Sequence, residues 1–307
     1  MYLASGRASE PEFWDGIWKE ANLETALRFC EIDPLRSFFE RYAPQGTRLL
    51  EGGCGLGQYV VYYRRHGVRV LGLDFARPTL RRLRAAHPEV DVCAADVFRI
   101  PVLSQSVDCY FSGGVVEHFE AGPLGALLEA RRVLKPGGTL LISIPYLSPL
   151  RWIAALPRRD RVLARQFNAE PTRAPGYEFW QYAFGIREFG RLLETSGFRV
   201  IETRPYAILH GLHDLPFASK VMSWLQRQVG KRTADRSDTE SPTPAPNPSV
   251  GLAKRLLVSE DTEVPGWGIL VRLSGWIAAN MMLFVCRPEG APRAAGGRPV
   301  ATARRYR

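Results

Sequence analysis

The stretch Leu49 to Gly67, "LLEGGCGLGQYVVYYRRHG", sets Glu51 ahead of three glycines on alternate positions, Gly53, Gly55 and Gly57. An apolar run precedes the pattern and a helix-like run follows it. Glycines at a strand-to-helix turn permit a tight bend and let a bound molecule touch backbone amides. The helix N-terminus adds donors and partial positive charge. This is the chemistry of a nucleotide-type cradle, although a glycine-rich structural turn has the same letters.

Two carboxylates narrow it. Asp74 closes "VRVLGLDFA", 17 residues after Gly57, and Asp96 closes "VCAAD". A carboxylate at the first tip can accept both hydroxyls of a ribose. At the second it can accept from an adenine amine, while the Val97 amide donates to a ring nitrogen. Either aspartate could instead be a helix cap or turn residue. A dinucleotide site requires glycine at position 58, where the sequence has Gln58. With Glu51 placed two positions before the first glycine, the balance moves from NAD toward S-adenosylmethionine, whose amino-acid end needs carboxylates and carbonyls. An NAD(P)-dependent oxidoreductase remains the alternative.

His118, in "GVVEHF", has the chemistry of a general base for an acceptor proton. It could equally orient the cofactor or pack locally, and Glu117 carries the same ambiguity. Phe13, Trp14 and Trp18 could fold over the cofactor, where an aromatic face beside a sulfonium is worth about 0.5–2 kcal/mol. Burial in the core of an N-terminal helix is the plainer reading. No HExxH motif or zinc-type cluster occurs, and no metal is expected.

The elements that position these residues follow from hydrophobic pattern and punctuation. Residues 11–43 read as helix with a break at Asp33-Pro34. Strands are expected over 47–50, 68–73, 90–95, 107–111, 139–144, 198–204 and 281–287. Helices are expected over 58–66, 78–86, 124–134, 186–195 and 268–279, with Gly67 and Ser196-Gly197 as stops. Strands alternating with helices, and apolar almost throughout, imply an α/β fold with parallel crossovers and a sheet covered on both faces.

In order, "LLEGGCGLG", "VLGLDFA", "AADVFRIPVLSQSVDCYFSGGVVEHF", "ARRVLKPGGTLLISIP", "FGRLLETSGFRVIETRPY" and "MMLFVCRP" resemble class I S-adenosylmethionine-dependent methyltransferases, closest to the type 11 small-molecule branch. The resemblance is strong over about 45–145, moderate over 183–206 and weak over 268–288. It implies a Rossmann-like seven-stranded sheet of order 3-2-1-4-5-7-6 with the last strand antiparallel. It also implies that Glu51 and Gly53 lie beside the methionine moiety, with Gly55 and Gly57 allowing close approach. Asp74 then holds ribose, Asp96 and Val97 hold adenine, and Ser112 and Gly113 offer backbone carbonyls to the methionine amine and sulfonium. No N-P-P-[YF]-type segment follows the fourth strand, which disfavours amino-methylation of nucleic-acid bases.

The organisation expected is an N-terminal helical cover (1–45), the methyltransferase domain (46–288) and a basic tail (289–307). The domain carries insertions at about 146–185 and 207–265, whose aromatic residues suggest an acceptor pocket and lid. That points to a small or medium acceptor, a glycan, a lipid-linked intermediate or a secondary metabolite, methylated most readily at oxygen. Within the second insertion, "DTESPTPAPNPSV" reads as an extended linker. The segment Lys220 to Lys231 reads as a basic amphipathic stretch able to touch a membrane surface.

The net charge is +10, but the last 21 residues hold six arginines and one glutamate, so +5 of it sits in a tail that reads as disordered. A nucleic-acid partner is therefore disfavoured. The five cysteines form no CxxC pair, which suits reduced thiols and a cytoplasmic setting. No signal-peptide pattern opens the sequence. The run Trp267 to Cys286 is long enough to span a bilayer, but Arg272 and Asn280 interrupt it, so a helix followed by a strand is expected.

Overall fold

The computed structural model describes residues 2–3, 10–155, 178–179, 181–213, 260 and 266–289. Its N-terminal part holds β1 (Tyr2–Leu3), α1 (Pro11–Glu20), α2 (Leu23–Cys30) and α3 (Arg36–Tyr42). The expected single break becomes two. Asn22 caps α2 by accepting from the Thr25 amide at 2.9 Å, so the chain also stops at Ala21. At the anticipated break, Asp33 accepts from the Leu35 amide at 2.8 Å.

The central unit alternates as the hydrophobic pattern implies: β2 (Arg48–Gly52), α4 (Gln58–Arg65), β3 (Arg69–Asp74), α5 (Arg77–Ala86), β4 (Asp91–Ala94), β5 (Val107–Gly113), α6 (Leu124–Val133) and β6 (Leu134–Pro145). Beyond it come α7 (Pro149–Ala155), β7 (Glu178–Phe179), α8 (Ile186–Thr195), β8 (Phe198–Tyr206), α9 (Ile208–His213), α10 (Gly268–Ala278) and β9 (Met281–Pro288). Strand β6 begins before the Pro136-Gly137-Gly138 turn rather than after it. Leu134 pairs with Val107, and the register shifts before Thr139 takes up Cys109.

The large sheet runs β4-β3-β2-β5-β6-β9-β8. Counting its seven strands in chain order, this is 3-2-1-4-5-7-6. Strands β4 to β6 pair in parallel, and β9 is antiparallel to both β6 and β8. The run once long enough to span a bilayer is thus a helix and an interior strand, and no helix among the described residues is long and apolar enough to cross a membrane.

Two buried clusters cover the two faces. One centres on Leu127, Leu134, Ile142, Phe184, Phe189 and Phe284. The other centres on Phe39, Leu49, Val61, Tyr63, Phe111 and Val285. Burying apolar surface on both faces fixes the strands against slippage and aligns the carboxyl ends of β2, β3, β4 and β5 on one edge. Most of the two insertions, the proline-rich linker, the Lys220 to Lys231 segment and the basic tail after Glu289 lie outside the described residues.

Candidate active site

At that edge lies a cavity of about 520 Å³. Glu51 enters from the end of β2, Asp74 from the end of β3, Asp96 and Val97 from just beyond β4, and Gly113 and Gly114 from the end of β5. A single-turn helix, Val116–His118, brings His118 to the wall, and α1 brings Trp14 and Trp18 over the top. Nine of the thirteen positions singled out from sequence therefore line one cavity, and Gly55, Gly57, Ser112 and Glu117 need placing individually.

Glu51 is 4% exposed, and its Oε2 has no hydrogen-bond partner. Burial first, and the nearby Asp74 charge second, push its carboxyl well above the ordinary range. An orphaned buried acid at a cavity wall is costly unless a cationic ligand answers it. The amino group of an S-adenosylmethionine molecule has that charge, so the donor set fits the group.

Asp74 does two jobs. Its Oδ2 accepts from the Gly55 amide and its Oδ1 from the Ala76 amide, each at 2.8 Å. Burial raises its pKa against the opposing pull of these bonds. Each oxygen keeps a second lone pair for a diol. Asp96 is exposed at the rim, where its Oδ1 accepts from the Phe98 amide at 2.9 Å.

The glycine loop is tight for reasons of packing. Gly55 has φ +49°, and a Cβ there would lie 2.6 Å from Cζ2 of Trp18. Gly57 has φ +81°, and its Cβ would lie 2.2 Å from Leu83 of α5. Neither lines the cavity, so the expected close approach is that of Trp18 and Leu83 rather than of a ligand. Ser112 is also withdrawn: it is 1% exposed, and the wall is made by Gly113 and Gly114.

Trp14 and Trp18 stack with ring centroids 6.0 Å apart, and Trp14 meets His118 edge to face. Asp15, between them on α1, accepts from Thr79 Oγ1 at 2.8 Å and from Arg82 at 2.9 Å, tying α1 to α5. These bonds hold its carboxyl below the usual carboxylate range. Glu117 stands behind the wall. It is 2% exposed, its Oε1 is 4.0 Å from His118 Nε2, and burial pushes its carboxyl up to about 8.

Sequence reasoning missed the aromatic lining: Tyr59, Phe75, Phe98, Phe111 and Phe119. Phe75 directly follows Asp74 and Phe98 comes two residues after Asp96, and that proximity was a usable signal. Tyr59 and Phe111 are placed by a long-range edge-to-face contact, with centroids 5.2 Å apart, which no local pattern reports.

Comparison with known proteins agrees with this geometry. Residues 50–142 match the model of a family described as "Methyltransferase domain". A Mycolicibacterium smegmatis protein named "probable S-adenosylmethionine-dependent methyltransferase" is 32% identical over 196 residues, covering 62% of this chain and 66% of its own. The chain carries a class I S-adenosylmethionine-dependent methyltransferase domain. Malonyl-[acyl-carrier protein] O-methyltransferase of Yersinia pestis is 38% identical over 99 residues, 32% of this chain and 36% of its own. The chain thus spans about two thirds or less of the length of the curated relatives it matches. Its fold is also that of a chain in the solved complex of a Haloferax volcanii methyltransferase with its activator, at TM-score 0.50 and 15% identity, covering 90% and 98% of the two chains. The sheet order and the S-adenosylmethionine-dependent class expected from sequence both hold.

Proposed function

We propose that the chain transfers a methyl group from S-adenosylmethionine to an oxygen of a small or medium, amphipathic acceptor. The observation that carries this is Glu51, a buried carboxylate whose Oε2 is unanswered at the wall of a cavity shared with Asp74 and Asp96. S-adenosylmethionine supplies an electrophilic methyl group on a sulfonium. Glu51 would hold its ammonium, Asp74 its ribose, and Asp96 with the Val97 amide its adenine. The protein's own task is to align nucleophile and methyl carbon in a dry space. Trp14 and Trp18 roof that space, and His118 at its wall is the residue placed to take the acceptor proton.

The relatives that share the cofactor half include a carrier-protein O-methyltransferase and a Bos taurus protein named as a probable tRNA methyltransferase, so that half serves unlike acceptors. Oxygen as the methylated atom follows the first of these. An amphipathic acceptor follows from the aromatic roof and from Phe119 beside His118.

The test is a screen with isotopically labelled methyl donor against cell extract, organic-extractable and RNA fractions being counted separately. Label in the organic fraction, lost in Glu51→Gln, supports the reading. Label confined to RNA overturns the acceptor class, and tight NADH binding without binding of S-adenosylhomocysteine overturns the reading as a whole.

A further inference from the structure

Helix α10 buries its small residues and exposes its large ones. Gly268, Val271, Gly275 and Ala278 are buried, and Gly275 lies against Pro205 of β8, where a Cβ would approach Cγ to 3.2 Å. On the other side Ile269, Leu270, Leu273, Trp276 and Ile277 are 74%, 55%, 54%, 39% and 54% exposed. At about 100° per residue these five fall within one arc of about 120°, with Arg272 on one flank and Ser274 on the other. Helix α7 packs beside α10 and adds Trp152 and Ile153, both at least half exposed. A continuous apolar face of this extent is a binding surface.

Its place in the fold is informative. Helix α7 leaves the carboxyl end of β6, and α10 leads into Met281, which pairs with Pro145 at that same end. Tyr146 Oη donates to the Trp276 carbonyl at 3.2 Å and ties the pair together. The face therefore stands at the sheet edge that also carries Gly113, Gly114 and His118.

We propose that the α7–α10 face docks on the surface of an anionic phospholipid bilayer. Three observations select this occupant. First, Trp152, Trp267 and Trp276 border the aliphatic patch, and tryptophan favours the boundary between headgroups and acyl chains. Second, arginines stand beside the patch. Arg272 flanks it, in a groove it shares with Glu202 and Glu260, and exposed Arg187 and Arg191, with Glu188, line the groove that Trp152 overhangs. Cations next to apolar residues are drawn to an anionic leaflet. Third, a second copy would bring two such arginine sets and two net charges of +10 together, which opposes self-association through this face. A bilayer held there would present an amphipathic acceptor to the cavity edge, a corollary that rests on the function proposed above.

The full chain is sedimented with vesicles of phosphatidylcholine containing one third phosphatidylglycerol, and with vesicles of phosphatidylcholine alone. The expected result is binding to the anionic vesicles that weakens with salt. The double variant Leu273→Ser/Ile277→Ser should lose about tenfold or more in that binding. Leu103→Ser, an equally conservative change at an 81% exposed position away from both helices, should keep it. Binding of S-adenosylhomocysteine should be the same in all three proteins, so failure here is separable from failure of the methyltransferase reading. Absence of wild-type binding, or equal loss in Leu103→Ser, overturns the proposal. A dimer that the double variant dissolves gives the face to a second copy. A lower melting temperature of the double variant without vesicles gives it to another segment of this chain. Either result also overturns the proposal.

Discussion

Trp14 and His118 meet edge to face, with ring centroids 4.8 Å apart and planes inclined at 73°. The contact joins the roof helix to the single-turn helix that follows β5. The imidazole is thereby held at the cavity wall by an aromatic edge on one side and by the chain of Val116–His118 on the other. On the proposed reading, the imidazole that takes the acceptor proton is oriented before any acceptor arrives.

His118→Ala is therefore expected to lower turnover about 10²–10⁴-fold at saturating acceptor. Binding of S-adenosylhomocysteine should weaken by no more than about tenfold, the worth of one aromatic contact. Single-turnover rates with labelled donor, alongside calorimetric titration, measure both. Near-normal turnover would leave His118 as a packing partner of Trp14.

On the proposed reading, Glu51 should make cofactor affinity depend on pH. Burial and Asp74 raise its pKa, so the empty site holds it protonated above the ordinary carboxylate range. The ligand's ammonium favours the charged form, and binding expels a proton. Affinity should rise with pH from the ordinary carboxylate range up to the raised pKa and then level off. Glu51→Gln should weaken binding by about 1.5–3 kcal/mol and flatten that slope. Calorimetry in buffers of differing ionisation enthalpy counts the proton directly; no proton release from the wild type would contradict the assignment.

Gly55 and Gly57 separate two roles within one loop. Gly55→Ala forces a side chain into left-handed backbone and against Trp18, so the roof should lift, tryptophan emission should shift toward that of exposed indole, and cofactor affinity should fall. Gly57→Ala meets Leu83 instead. It should lower the melting temperature, with little change in emission. Equal effects of the two substitutions on emission would show that Trp18 does not rest on Gly55 in solution.

Glu117 should tilt stability with pH. Its ordinary value of 4.5 is pushed up to about 8 by burial. Below the ordinary value both folded and unfolded chains carry the proton, and there is no penalty. Between about 4.5 and about 8 the unfolded chain ionises first, so stability falls as pH rises, and above that range the loss is complete. Glu117→Gln removes this contribution, at most a few kcal/mol. The variant should melt higher than the wild type at about pH 8 and level with it at about pH 4. Glu260, raised to about 7 by burial, slopes the same way and persists in both proteins. Identical pH profiles would mean that Glu117 is solvated in solution.

The cofactor half was legible because its signals are local. Asp74 ends β3 and Asp96 follows two residues after β4, a turn needs glycine where the backbone bends, and apolar runs mark strands covered on both faces. What escaped was set at long range. The role of Gly55 depends on Trp18, 37 residues away, and that of Gly57 on Leu83. Trp14 and Trp18 were open to reading as a cover or as core; what holds α1 in place is Asp15, whose partners Thr79 and Arg82 lie on another helix. Ser112 and Gly113 are neighbours in sequence, yet the alternation of a strand sends one inward and leaves the other at the wall. The early start of β6 hid behind Pro136-Gly137-Gly138, letters that ordinarily end a structural element.

Strand β9 is the last element of the domain in sequence, yet it lies between β6 and β8. During synthesis, everything through β8 leaves the ribosome while β6 still has an open flank, and β8 has no sheet to join until residues 281–288 follow. An interior strand delivered after both of its neighbours leaves the sheet open until it emerges, and then closes it on both sides in one step. Until then the flank of β6 is an unpaired edge at risk of the wrong partner, so mutations in β9 should show first as lost yield of folded chain and only afterwards as lost catalysis.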